Sequence, residues 1–195
     1  MPAPGSYPID ISDMKYSLLT ADSGTSGPTY SAAVDMDGSL ELTLQFPAGD
    51  TRELRGDGAV KQRSVAAGAV TFQGRIGGVQ LAVLNALFGH VVVASGTTPN
   101  ARNRLTYLTA PTKPYFKLQG MALNNDGGST RITIYKAQLD NNFVEISLND
   151  GDFATATLTG TAYPTTSTTV VNAVARNLVF DIDQDETALA NAAAA

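Results

Sequence analysis

Residues able to carry chemistry are few in this chain, and their spacing assembles no reaction centre. His90 is the only histidine and there is no cysteine. A nucleophile–His–carboxylate arrangement would have to use His90, and no G-x-S-x-G turn accompanies it. It reads instead as a surface or capping histidine beside a helix end. A second histidine for a His-based metal site is missing, and thiolate sites are excluded outright. Neither G-x-x-x-x-G-K-[ST] nor G-x-G-x-x-G occurs, so no phosphate cradle of known type is present. The run Asp181-Ile182-Asp183-Gln184-Asp185-Glu186 opens like a calcium loop. It then puts Glu186 where that loop needs glycine and Ala192 where it needs glutamate. Asp35, Asp37, Asp150 and Asp152 offer carboxylates for acid–base work. Each flanks a Gly turn, where aspartate serves the backbone. The sequence therefore predicts no enzyme, no cofactor and no metal.

Composition narrows the class further. At 195 residues the chain can bury a core without covalent staples. Charged residues make up only 16%, with Thr, Ala, Gly and Val in their place, as in β proteins. A net charge of −5 argues against a sequence-specific nucleic-acid binder. The first residues, MPAPGSYPIDIS, lack the basic and apolar regions of a signal peptide. No apolar run reaches the roughly 18–20 residues of a membrane span, so no membrane anchor is expected.

The elements that would position these residues are strands. Tyr115–Leu123 runs into the turn at 124–128 and Ser129–Leu139 runs back. Phe143–Leu148 meets Asn149-Asp150-Gly151-Asp152, and Phe153–Tyr163 follows. Asp-Gly between β-rich runs signals hairpins, because such turns need positive φ. The last run alternates strictly: Thr155, Thr157, Thr159 and Thr161 share one face, and Ala154, Ala156, Leu158, Gly160 and Ala162 the other. Upstream, Ile11–Thr20, Tyr30–Met36, Ser39–Phe46 and Ala69–Gly74 read as strands, with tight turns at 47–50 and 56–58. Leu40, Leu42, Leu44 and Phe46 alternate with Glu41, Thr43 and Gln45, predicting one buried face. Over Gly78–Phe88 the period changes. Val79, Ala82, Val83, Ala86 and Leu87 recur at helical spacing, and Gly89 is a natural stop. One short helix, about 78–88, is expected to plug an open side of the sheet. Residues 1–10 and 184–195 read as arms, 91–113 as a long surface loop, and 173–182 as the last strand. The fold class predicted is all-β: one domain, a β-sandwich or partly open barrel of antiparallel strands with one flanking helix.

Two regions give this pattern a family likeness. One runs from Pro114-Tyr-Phe-Lys-Leu-Gln-Gly120 through Asp126-Gly127, Arg131-Ile-Thr-Ile-Tyr-Lys136 and Asn149-Asp150-Gly151-Asp152 to Tyr163. The other is Leu54-Arg55-Gly56-Asp57-Gly58, the strand 69–74 and the apolar helix ending Leu87-Phe88-Gly89. Over roughly residues 12–182 the order and spacing resemble the major tail proteins, or tail-tube proteins, of long non-contractile-tailed bacteriophages. The resemblance implies a structural virion protein made in the host cytoplasm. Such a protein forms hexameric rings that stack into the tail tube, the conduit for DNA. Other implied partners are the tape measure, terminator and tail-tip proteins, with double-stranded DNA passing through unread. Residues 1–10, 91–113 and 184–195 become inter-ring contacts, with Arg102 and Arg104 facing an acidic run such as Asp181, Asp183 and Asp185. Thr155, Thr157, Thr159 and Thr161 become candidates for the lumen sheet. A type VI secretion tube subunit is a variant of this reading. A capsid decoration or glycan-binding module of all-β build is the other class.

Charge fits the first reading. Six copies at −5 give about −30 per ring, and DNA carries one negative charge per about 1.7 Å of axis. With a Debye length of about 8 Å in physiological salt, only charges lining the lumen act on the DNA.

Overall fold

The computed structural model describes residues 8–24, 26–46, 51–56, 59–65, 69–108, 111–140, 145–147, 154–171 and 174–185. The turns expected at 47–50, 57–58 and 149–152, the arm residues 1–7 and the tail 186–195 lie outside the described residues. In chain order the strands are β1 (Pro8–Ala21), β2 (Thr29–Tyr30), β3 (Val34–Asp35), β4 (Ser39–Gln45), β5 (Thr51–Gly56), β6 (Ala59–Val65) and β7 (Val70–Gly77). Helix α1 (Leu81–Phe88) follows, then β8 (Val91–Ser95), β9 (Arg102–Thr106), β10 (Phe116–Asn124), β11 (Ser129–Leu139) and β12 (Glu145–Ser147). The last strands are β13 (Thr155–Ala162), β14 (Thr168–Val171), β15 (Val174–Asn177) and β16 (Phe180–Asp185). The predicted class holds: an antiparallel all-β fold with, among the described residues, one short helix.

Ten strands form one sheet in the order β2-β1-β10-β11-β13-β7-β4, with β3 on β1, β12 on β13 and β16 on β11. The sheet curls without closing. An added Cβ on Gly120 of β10 would stand 2.5 Å from Leu42 Cδ2 of β4. One on Gly74 of β7 would stand 3.7 Å from Met14 Sδ of β1. The two ends of the sheet therefore face each other across the core. That core holds Met14, Tyr16, Phe72, Ile76, Phe116, Leu118, Ile134, Leu139 and Leu158, and Phe72 meets Phe116 edge to face at 6.1 Å.

Alternation builds β13 as expected, with half-buried threonines between buried Ala156, Leu158, Gly160 and Ala162. Gly160 must lack a side chain. A Cβ there would lie 2.5 Å from both the Phe72 ring and the Gln138 carbonyl oxygen. The hairpin turn between β10 and β11 closes with the Gly127 amide on the Asn124 carbonyl at 3.2 Å and φ of 85° at Gly127. Helix α1 buries Val83, Leu84, Leu87 and Phe88 against the core. Gly89 ends it in the left-handed region at φ 68°.

Several boundaries depart from the sequence reading. Residues 8–10, expected in an arm, are the start of β1, paired with Asn124 and Leu123 of β10. The expected strand 30–36 is two short pieces, β2 and β3, both along β1. The expected loop 91–113 begins as the hairpin β8–β9, in register from Val91↔Thr106 to Ser95↔Arg102. The Val-rich run was legible, but its partner Arg102–Thr106 is too polar to announce a strand. The expected strand 173–182 is split into β15 and β16, and β16 takes in residues 184 and 185 of the expected arm. The predicted buried face of β4 is incomplete. A register shift between Ser39 and Glu41 puts Leu40 at an irregularity, where it is 51% exposed, and Phe46 is 57% exposed.

Candidate assembly surface

The four threonines proposed for a lumen sit on β13, and three are opposite a polar residue of β7: Thr157 faces Arg75, Thr159 faces Gln73 and Thr161 faces Thr71, while Thr155 is opposite Gly77. The same rows continue onto β4, where Arg75 is opposite Glu41, Gln73 opposite Thr43 and Thr71 opposite Gln45. Directly paired residues of antiparallel strands share a face. The threonine face is thus one part of a polar surface three strands wide, carrying one positive and one negative side chain. Only the β13 part was singled out from the sequence, because cross-strand register is not written in a single strand.

Asp181, Asp183 and Asp185 lie on β16 beside the first half of β11. They are knitted into their own sheet. The Tyr135 hydroxyl donates to Asp181 Oδ2 at 2.6 Å, and Arg131 meets Asp183 Oδ2 at 3.1 Å. Burial of Tyr135, then its bond to the Asp181 carboxylate, raises the phenol well above its ordinary value. Asp185 Oδ2 is buried and accepts no bond among the described residues. Arg102 and Arg104 sit on β9, both exposed, and Arg102 Nε donates to Ser95 Oγ at 3.0 Å. The fold does not bring these arginines to the aspartates within one chain. A neighbour's arginines would have to compete with Arg131 and Tyr135.

His90 is not a surface residue; it is 1% exposed. Its Nδ1 accepts the Leu108 amide at 3.2 Å, and its ring stacks on Phe88 at 6.1 Å and lies 5.0 Å from Tyr107. The imidazole therefore fastens the two ends of the β8–β9 hairpin to the end of α1. No group of three or more His, Asp or Glu side chains able to hold a metal occurs among the described residues.

Two polar fixtures escaped the sequence reading. Asp22 accepts bonds from the amides of Thr166 and Ser167 at 2.9 and 2.8 Å, from Ser167 Oγ at 2.8 Å and from Lys136 Nζ at 2.6 Å. Burial opposes ionisation of Asp22, but the bonds from Lys136, Ser167 and Thr166 outweigh it and hold the carboxyl far below the usual range. Lys117 is 7% exposed, with Nζ 4.6 Å from the centre of the Tyr30 ring. Burial, then the nearby Arg131, lowers its pKa. Neither pairing leaves a local signal, since Asp22 and Thr166 are 144 residues apart.

What the surface does present is unpaired sheet. Among the described residues, β4 hydrogen-bonds a strand on one side only, as do β12 and β16. Beside β4 the core is open in a cleft of about 290 Å³ lined by Ile11, Leu40, Leu42, Met121 and Ile132. Strand β11 is shared between two neighbours on that side: it pairs β16 over Ser129–Ile134 and β13 only over Ala137–Leu139. On the hairpin, Val91 is 45% and Val93 50% exposed.

The sequence matches no family model and no curated protein. Among solved structures, the chain is similar to the SPP1 tail tube, determined by solid-state NMR and cryo-EM. The identity is 13% and the TM-score 0.39, over 76% of this chain and 72% of that one.

Proposed function

We propose that the protein is a structural subunit of a bacteriophage tail tube. It assembles into hexameric rings that stack head to tail and conduct DNA into the host. One observation carries the reading: an open sheet with unpaired edges, whose core is left partly uncovered beside β4. Unpaired strand rows and exposed apolar surface are templates for another chain. A contact between unlike surfaces repeats into a ring or a filament. The sequence likeness to tail-tube proteins names the assembly this favours.

In this reading the polar face of β13, β7 and β4 lines the lumen. Its near balance of charge holds DNA weakly. The terminal arms and the segment 91–113 contact the next ring, and the tape measure, terminator and tail-tip proteins bound the tube. The protein acts in the virion tail, by geometry and not by catalysis.

Electron microscopy of the concentrated protein in negative stain tests this directly. Tubes or stacked rings with a central hole are expected. A protein that stays monomeric to its solubility limit, with and without tail-tip complexes as nucleators, would overturn the reading.

A further inference from the structure

The hairpin β8–β9 has two unlike faces. Residues directly opposite in its register share a side, so Val92 with Leu105 and Ala94 with Asn103 form one face. Val91 with Thr106, Val93 with Arg104 and Ser95 with Arg102 form the other. Leu105 packs against the core, which turns the base of the first face, Val92 with Leu105, inward, while Ala94 and Asn103 toward the tip are exposed. The second is outward: Val91 and Val93 are half exposed, with Arg104 beside Val93 and Arg102 beyond it toward the tip. Residues 91–106 hold two arginines and no acid, against a whole-chain charge of −5. The rest of the molecule therefore carries −7. The hairpin is a cationic projection with an apolar base on an acidic body.

The rim of β4 has the opposite character. Leu40 lines the open cleft together with Ile11, Leu42 and Ile132. It also lines a second hollow, of about 650 Å³, with Asp37, Arg75, Gly77 and Thr155. Asp35, Asp37 and Glu41 stand along this part of the chain, all exposed. Among the described residues, the cations paired with this stretch are Lys15, opposite Asp35 and paired with Asp13 at 3.1 Å, and Arg75, opposite Glu41. Among the described residues, carboxylates thus outnumber cations at the rim, and Leu40 there is 51% exposed.

We propose that the outward face of the β8–β9 hairpin of one copy docks on the β4 rim of a second copy. Val91 and Val93 cover Leu40 and the mouth of the cleft, and Arg104 and Arg102 meet Asp37 and Glu41. The proposal rests on the self-assembly reading and names the surfaces that carry it. The two faces are complementary, and neither complements itself. Each copy offers both, so the contact is heterologous and propagates from copy to copy. Apolar anchors at the centre with charges at the rim is also the usual division of labour in an interface: the anchors hold, and the charges steer and set register.

The absence of cysteine makes a clean test. Protein carrying only Val93→Cys is mixed with protein carrying only Leu40→Cys, under mild oxidation. The disulfide between the two variants should exceed either variant's disulfide with itself by about tenfold or more. Equal yields of the three, or no disulfide between variants, would overturn the proposal. In parallel, Arg102→Glu with Arg104→Glu should raise the concentration needed for assembly by about tenfold. Combining them with Asp37→Lys and Glu41→Lys should restore it, with circular dichroism confirming the fold of each variant. All four side chains are exposed, so the fold is not at stake. Unmodified protein that assembles while the cross-link fails and the reversals change nothing would sink this contact alone. Unmodified protein that never assembles, with no cross-link, would sink the self-assembly reading as well.

Discussion

Asp22 provides the sharpest test of the fold. Its carboxylate is 8% exposed and its Lys136 partner 14%, so both charges are largely withdrawn from water. Replacing Asp22 with alanine strands the Lys136 ammonium and leaves the amides of Thr166 and Ser167 without their acceptor. Breaking a buried pair from one side costs about 3–5 kcal/mol. Lys136 keeps Thr166 Oγ1 at 3.3 Å and the Tyr115 ring at 4.8 Å, which places Asp22→Ala at the low end, about 3 kcal/mol. For a chain of this size that is a fall in Tm of about 6–12 °C. Asp22→Asn keeps an acceptor but loses the charge, and should cost about half as much. The pH dependence has a definite sign. The folded-state pKa is depressed, so this stability is complete above the unfolded value near 3.9. It is lost as pH falls from there toward the folded value. Thermal melts followed by circular dichroism from pH 7 to pH 2 should therefore show the gap between wild type and Asp22→Asn shrinking only below about pH 4. A change under about 0.5 kcal/mol for Asp22→Ala, or a gap constant across that range, would refute the reasoning.

Two glycines should part company: Gly160→Ala should cost about 3 kcal/mol because the obstructing atoms include a backbone carbonyl, whereas Gly120→Ala should cost about 1 kcal/mol because Leu42 Cδ2 can swing into the open cleft. Denaturant titration separates them, and equal costs would contradict the cleft. Tyr135→Phe should cost about 2 kcal/mol through loss of the bond to Asp181. Because burial raises the Tyr135 and Tyr30 phenols, wild type should lose stability above about pH 10, and the variant less so. Lysine at Thr157 and Thr159 should leave assembly intact while slowing DNA release in an ejection assay, and unchanged release would remove those threonines from the lumen.

Legibility followed the range of the interaction. The β13 alternation and the Gly127 turn are local patterns, and both hold; the helix is there too, but it starts at Leu81, so Val79 lies outside it and exposed, and the buried stripe is Val83, Leu84, Leu87 and Phe88. The β4 alternation was equally clear, yet the register shift at Leu40 undid part of it, because a bulge is decided by the partner strand. The second half of the β8–β9 hairpin is polar and drew no notice. Arg102, Arg104, Asp181 and Asp183 were visible as charges, but their neighbours were not. Arg131 and Asp183 come together only through the pairing of β11 with β16. The same holds for Asp22 with Lys136 and Ser167, and for His90, whose role depends on the return of Leu108.

The shared strand β11 also sets a schedule. Its first half is flanked by β10 on one side and β16 on the other, with partners in β16 about 50 residues downstream. During synthesis β1, β10 and β11 can pair while β16 has yet to emerge from the ribosome. For that interval the edge of Ser129–Ile134 is bare, beside Ile132 and the open cleft. An unpaired strand row is a template for another strand, so for that interval the chain is exposed to premature joining. The docking of β16, secured by Arg131 and Tyr135, comes late and ends this exposure. Every step that hastens this docking therefore shortens the period in which the β11 edge can pair wrongly.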